Sequence, residues 1–183
     1  MDVFMKLLVG VLQEGLVYGV MALGVYVTYQ ILHFPDLTVE GSFPLGMCVA
    51  GALISSGASP WLACLAAFAC GAAAGGATGL LHVKLRITDL LSGILVMTGL
   101  WSVNLAVTGG SAVLAFYNRP TIYTTGPAAL IPASRNSLRA LAVAFAACVI
   151  VKELLDLFFK TKSGLLLRAS GDNPHFAAAL GRD

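Results

Sequence analysis

Long apolar runs constrain the fold of this chain more than any other feature. A helix needs about 20 apolar residues to cross the roughly 30 Å hydrocarbon core of a bilayer. Inside that core the backbone must satisfy its own hydrogen bonds, which a helix does. We therefore predict an all-α, polytopic membrane helical bundle. The four runs that meet this length are residues 7–32, 60–83, 90–107 and 138–159.

Composition agrees with a membrane class and argues against several others. Hydrophobic residues make up 58% of the 183 residues and charged residues 11%, against about 25% charged residues in soluble domains. The net charge of +2 gives no basic field for nucleic acid. The four cysteines lie in apolar runs without a CxxC pair or a nearby histidine, so we predict no metal site. We find no phosphate-binding GxxxxGK[ST] loop or catalytic constellation, and we expect no cofactor.

A fifth apolar segment, 43–56, is short and spans a membrane only if part of 33–42 also lies at membrane depth. Prolines and carboxylates interrupt the chain here, and irregular backbone at that depth is tolerated only inside protein or beside water. We therefore predict about five transmembrane helices, one of them short or broken. The alternatives are an ordinary polar loop and, for the carboxylate in the first run, an interfacial side chain. The candidate pathway residues are Glu14, Pro35, Asp36, Thr38, Glu40 and Gly41.

Small residues in the apolar run 60–83 predict close helix packing. Gly71, Gly75 and Gly79 recur every four residues, which places them on one helix face. Such a face lets a second helix approach closely by van der Waals contact. The spacing indicates a bundle and does not by itself indicate a transporter.

Basic residues near the span ends predict the orientation. With five passes, an external N-terminus and a cytoplasmic C-terminus leave six lysines and arginines inside and four outside. The inner set is Lys84, Arg86, Lys160, Lys162, Arg168 and Arg182; the outer set is Lys6, Arg119, Arg135 and Arg139. We accordingly predict a transmembrane domain over 1–159 and a cytoplasmic loop with a helix over 160–183.

Capping signals predict a short helix over 174–180 in this C-terminal segment. Asn173 suits the N-cap, Pro174 the first helical position and Gly181 the position after the end. Phe176 and Leu180 are four residues apart and share one face. We interpret this helix as a docking element, with a helix lying on the membrane surface as the alternative.

Three segments in order resemble permeases of ABC importers of the branched-chain amino acid/ribose type. They are FPDLTVEGSFPLG (34–46), ITDLLSGIL (87–95) and TKSGLLLRASGDNP (161–174), followed by Ala178 and Gly181. The resemblance covers nearly the whole chain. The branch it resembles pairs with periplasmic proteins thought to bind amino acids, including aromatic ones.

This resemblance implies a permease subunit that forms one pathway with a second copy in the bacterial inner membrane. It implies a separate ATP-binding cassette ATPase subunit inside the cell and a solute-binding protein outside. ATP hydrolysis would belong to the ATPase, so the chain itself would not be an enzyme. The ATPase-coupling residues would be Gly171, Asp172, Asn173, Pro174, Phe176, Leu180 and Gly181.

Permeases of this family usually continue with further spans after the coupling loop. We therefore expect this chain to be a truncated product, a fragment, or a permease completed by a separate chain. Two alternatives to the importer stay open. One is half of a secondary transporter that uses Glu14, Asp36 or Glu40 for ion coupling, and the other is a non-transporting membrane scaffold.

Overall fold

Helices follow the apolar runs in the computed structural model, which describes residues 3–111, 113–114, 119–125 and 136–172. None of these residues lies in a β-strand, so the predicted all-α class is confirmed. A π-helical turn, Val27–Ile31, continues the first helix. The helices are α1 (Val3–Tyr26), α2 (Val39–Ser55), α3 (Pro60–Leu85), α4 (Asp89–Val107), α5 (Asn136–Lys160) and α6 (Lys162–Asp172).

Three segments are long and apolar enough to span a membrane: Val3–Ile31, Pro60–Leu85 and Asp89–Val107. The helical membrane bundle is therefore confirmed, with three rather than five helices meeting the criteria within the described residues. The helix α2 is apolar but only 17 residues long, as its sequence predicts. The helix α5 has 25 residues, but charged side chains interrupt its apolar run. They are Arg139, Lys152, Glu153, Asp156 and Lys160.

One compact unit contains α1, the π-helical turn, α5 and α6. The helices α1 and α5 pack along each other and bury Val9 and Ala144. Near the end of α5, Lys152 Nζ lies 2.8 Å from Asp156 Oδ2, because residues four apart in a helix are neighbours. Thr161 then caps α6, since its hydroxyl oxygen accepts a hydrogen bond from Gly164 N at 3.2 Å.

The second unit contains α2, α3 and α4, each packed against the other two. Leu45, Ala63 and Ala74 are buried between them. Local sequence sets the start of α3: the Ser59 hydroxyl accepts a hydrogen bond from Leu62 N at 3.4 Å, and Pro60 is the first helical residue. The outward faces are strongly apolar, as a lipid environment requires.

The irregular segment before α2 is shorter than the sequence suggests. Prolines and carboxylates predicted irregular backbone leading up to the apolar segment 43–56, but α2 begins at Val39 and includes Glu40, Gly41 and Pro44. Pro44 is the sixth helical residue, so its missing N–H costs only the bond to the Glu40 carbonyl. We use "the break" for the non-helical residues 32–38.

The glycine face of α3 has no neighbour among the described residues. A Cβ built on Gly71, Gly75 or Gly79 would meet no atom within 4 Å. Within its own unit, α3 instead buries Ala63, Ala74 and Thr78. Close packing of a further helix on the glycine face stays a prediction.

Candidate functional site

The break follows a stretch of unusual backbone in the first unit. The π-helical turn ends with Leu32 N donating to Val27 O at 3.2 Å, and Phe34 N donates to Thr28 O at 2.9 Å. His33 adopts a left-handed conformation with φ of 55°, which is uncommon for a non-glycine residue. π-helical turns and such outliers concentrate at functional sites. The backbone itself therefore marks the break as a candidate site.

Asp36 shapes the part of the break that belongs to the second unit. Its carboxylate Oδ1 accepts a hydrogen bond from the backbone N–H of Thr38 at 2.8 Å. Aspartate commonly closes this kind of side-chain turn with the N–H two residues later. The turn ends the non-helical backbone one residue before α2 begins. Asp36 thus helps to set where the helix starts.

A buried pair of hydroxyl groups ties the start of α2 to α3. Thr38 Oγ1 and Thr78 Oγ1 are 2.6 Å apart, and the two residues are only 1% and 2% exposed. The Thr78 hydroxyl donates to the Ala74 carbonyl at 3.3 Å, so the Thr38 hydroxyl is the donor within the pair. Both hydroxyl groups are therefore satisfied in a place that water does not reach.

Two glycines allow α4 to approach the break and α2 at backbone distance. A Cβ on Gly41 would lie 3.1 Å from Met97 Cα, and a Cβ on Gly93 would lie 3.1 Å from Leu37 N. Both glycines are buried. A larger residue at either position would force backbone apart, because the nearest atoms belong to the main chain.

Asn104 on α4 completes this cluster and leaves one polar atom unpaired. Its Nδ2 donates to the Gly41 carbonyl at 3.3 Å. Its Oδ1 is enclosed and has no hydrogen-bond partner among the described residues. A buried amide oxygen without a hydrogen bond destabilises the folded state. This atom is therefore available to accept a hydrogen bond from water or from another group.

The remaining predicted residues lie at different places in the two units. In the second unit, Pro35 is half-buried, and Glu40 is exposed in the first turn of α2, where a negative charge suits the helix dipole. In the first unit, Glu14 is exposed on α1, and Gly171 and Asp172 are the last two residues of α6. The other predicted coupling residues lie outside the described residues: Asn173, Pro174, Phe176, Leu180 and Gly181.

Sequence reasoning missed Thr78, Gly93 and Asn104. It weighed ionisable groups in the apolar runs and passed over uncharged polar groups, although Thr78 and Asn104 each interrupt a span. A search for lone hydroxyl and amide side chains at membrane depth would have found both, because such groups need a partner there. Gly93 lies within the motif ITDLLSGIL (87–95), which indicated the family but not a close helix contact.

The connection between α3 and α4 holds a histidine that the sequence reading did not assign. His82 Nδ1 lies 3.0 Å from the Ile87 carbonyl and 3.4 Å from Asp89 Oδ1. Arg86, which lies within this connection, ends α3 in a left-handed conformation. The histidine therefore holds the short connection closed. Among the described residues, no group of three His, Cys, Asp or Glu side chains is placed to hold a metal ion.

An open groove of about 500 Å³ runs between the helices of the second unit. Small residues form its α3 wall: Cys70, Ala73, Ala74 and Ala77. Its lining includes no charged or amide side chain. A binding site for a polar solute needs a few placed polar groups, so this groove suits apolar contacts, and the polar candidates stay with the break and its surroundings.

The chain was compared with known protein families, curated proteins and solved structures. The model of the family described as "Branched-chain amino acid transport system / permease component" matches residues 7–183. A tyrosine transport system permease protein of Clostridioides difficile is 38% identical over 174 residues, which cover 95% of this chain and 55% of that protein. An uncharacterized protein of Rickettsia prowazekii is 31% identical over 179 residues, covering 97% of this chain and 59% of that protein.

The chain therefore spans little more than half the length of the curated relatives it matches. No solved structure matches it significantly. The family match extends over the break, the buried polar cluster and α6, and the three motifs that resemble this family all lie within it. The chain belongs to the family of branched-chain amino acid transport system permease components.

Proposed function

We propose that this chain acts as a permease subunit of an ATP-driven importer for an amino acid or a related small solute. The observation that carries the proposal is the family match over residues 7–183. The tyrosine permease similarity favours an aromatic amino acid as the solute. The three long apolar helices supply the membrane-embedded part that such a subunit needs.

The proposal includes three protein partners and a membrane. An ATP-binding cassette ATPase subunit binds on the cytoplasmic side, and a solute-binding protein delivers the solute from outside. A second permease subunit completes the pathway, and the open glycine face of α3 (Gly71, Gly75 and Gly79) supports close contact with a further helix. The proposed location is the bacterial inner membrane, with multiple passes and a cytoplasmic C-terminal segment.

The proposal also gives roles to individual predicted residues. We assign the solute pathway to the neighbourhood of the break, where Asp36, Thr38 and Gly41 meet α3 and α4. Glu14 and Glu40 are exposed carboxylates near or within apolar segments, and such groups at membrane depth normally face a pathway or a partner. The segment 171–181 is the ATPase-coupling element of the proposal.

Association with the ATPase tests the proposal directly. The permease is co-expressed with a candidate ATP-binding cassette ATPase subunit, and the two are purified together from detergent. Phe176→Asp places a charge on the apolar face of the predicted docking helix 174–180. We expect it to abolish co-purification, because burying a carboxylate in an apolar contact costs much free energy. The matched control is Phe176→Leu, which keeps this face apolar and should retain the ATPase.

Two outcomes would count against this proposal. Co-purification of the Phe176→Asp variant at the level of Phe176→Leu would remove the docking role. Uptake by the permease without ATPase, driven by a proton or sodium gradient, would favour an ion-coupled carrier instead. In that case Glu14→Gln should lower the uptake.

A further inference from the structure

Gly171, the penultimate residue of α6, lies directly on the backbone of the π-helical turn in the same unit. A Cβ added to Gly171 would collide with the Ile31 carbonyl oxygen. It would also lie 3.0 Å from the Ile31 carbonyl carbon and 3.2 Å from Leu32 Cα. All three atoms belong to the main chain and cannot rotate away. This position therefore accepts only glycine without moving the backbone.

The next residue of α6 makes a second contact with the same stretch. Asp172 Oδ1 lies 3.9 Å from His33 Nε2, and the two side chains are 69% and 58% exposed. A polar contact this exposed contributes little stability. Its significance is geometric, because two consecutive residues of α6 contact three consecutive residues at the end of the first span. We call these five residues the joint: Ile31, Leu32, His33, Gly171 and Asp172.

The joint lies where the first span has its least regular backbone. It includes the last residue of the π-helical turn and the left-handed His33. A π-helical turn holds one more residue than a regular α-helical turn. Because an α-helix turns by about 100° per residue, shifting that extra residue along the helix would rotate the residues that follow it. A displacement at the joint therefore acts first on the least regular backbone of the first unit.

We propose that Gly171 is a positioning residue that transmits displacement of α6 to the end of the first span. The inference rests on the proposed function, in which the ATPase docks on the predicted helix 174–180 and Gly171 precedes that docking helix in the chain. Gly171 and Ile31 approach each other through main-chain atoms. No flexible side chain lies between them, so a displacement of one main chain also displaces the other. The ATPase-driven movement of the coupling segment thereby reaches the Ile31 carbonyl.

The first test separates transmission from ATPase binding. The permease, its ATPase and its solute-binding protein are reconstituted in proteoliposomes with Gly171→Ala. The matched control is Gly24→Ala on α1, where an added Cβ meets no atom within 4 Å. We expect Gly171→Ala to keep ATPase association and to lower solute uptake per ATP hydrolysed about tenfold, which is typical of a lost coupling between sites. The Gly24→Ala variant should match the parent.

Two results of this test would overturn the inference. Parental uptake per ATP in Gly171→Ala would show that the contact transmits nothing. Loss of ATPase association in the same variant would make Gly171 part of the docking surface. If the parent complex itself neither binds the ATPase nor takes up solute, the proposed function fails, and that outcome is visible before any variant is compared.

A reversible cross-link tests the joint without depending on the folding of Gly171→Ala. His33→Cys and Asp172→Cys are combined and treated with a short bis-methanethiosulfonate, with each single variant treated in parallel. We expect the pair to cross-link, uptake per ATP to fall about tenfold, and reduction to restore it. Cross-linked permease that transports as well as the reduced form would contradict the proposal, as would failure of the pair to cross-link.

Discussion

A hydrogen bond between two hydroxyl groups connects the residue before α2 to α3. Thr38 and Thr78 share a 2.6 Å hydrogen bond in a place without water. At a buried position the loss of one hydroxyl group leaves the other without a hydrogen-bond partner, and this lowers the stability of the fold. The pair therefore stabilises one position for the start of α2, immediately after the break.

Replacing Thr78 by Val should lower the free energy of unfolding by about 1 kcal/mol, because the Thr38 hydroxyl loses its acceptor. The measurement is the thermal unfolding of purified permease in detergent. The matched control is Thr98→Val, whose hydroxyl is exposed and bonds only to carbonyls of its own helix, Ile94 and Leu95. Equal midpoints for the two variants would rule out a structural role for the pair.

A methyl group at Gly41 should also destabilise the second unit. Its Cβ would lie 3.1 Å from Met97 Cα and 3.2 Å from Leu100 Cβ, and overpacking of this kind costs about 1–3 kcal/mol. The same unfolding measurement applies. Gly46→Ala on the same helix is the control, since its Cβ would make an ordinary 3.9 Å contact with Ala67 Cβ. A Gly41→Ala variant as stable as Gly46→Ala would contradict the close approach of α4.

At the scale of helices and turns, the short connection between α5 and α6 depends on Thr161. Its hydroxyl accepts from Gly164 N at 3.2 Å and donates to the Phe158 carbonyl at 2.6 Å. One side chain thus satisfies both the end of α5 and the start of α6. The cap sets where α6 begins, and thereby where Gly171 reaches the π-helical turn.

Removing this cap with Thr161→Ala should loosen the first turn of α6. A lost N-cap costs about 1 kcal/mol, so we expect amide hydrogen exchange at 162–164 to accelerate about fivefold. Hydrogen exchange with mass spectrometry measures this change. The control, Ser163→Ala, alters an exposed hydroxyl in the same turn and should exchange as the parent does. Unchanged exchange in Thr161→Ala would show that the cap is dispensable.

The helices were predictable from sequence where apolar runs end in clear signals. The observed α3 and α4 begin within one residue of the predicted 60 and 90 and end at or within two residues of the predicted 83 and 107. Ser59 and Pro60 mark the first of these starts through local chemistry alone. The predicted start of α2 was wrong because Pro44 suggested a break. In the structure the helix begins earlier, directly after the Asp36 turn and the Thr38–Thr78 hydrogen bond.

Tertiary contacts at the site were less predictable. Repeated spacing drew attention to the glycines of α3, but the closest approaches occur at Gly41, Gly93, Gly164 and Gly171. A glycine allows close contact from any direction, and its sequence position does not tell which neighbour arrives. The π-helical turn at Val27–Ile31 is equally silent in sequence, because its residues would suit an ordinary helix.

At the scale of the whole molecule, the described surface is unusually apolar. Phe68 and Trp101 are 78% and 77% exposed on α3 and α4, and large exposed apolar patches mark contact with lipid or with other proteins. Together with three helices long enough to cross a bilayer, this surface is that of a membrane-embedded protein. The family match over residues 7–183 assigns the chain to the branched-chain amino acid permease family.

Solute uptake driven by ATP tests the central proposal most directly. The permease is reconstituted in proteoliposomes with its ATPase and its solute-binding protein, and labelled tyrosine is supplied on the side of the binding protein. We predict accumulation that requires ATP on the ATPase side and stops when the ATPase is omitted. Accumulation that proceeds without ATP, or a complete complex that hydrolyses ATP without moving any amino acid, would contradict the account.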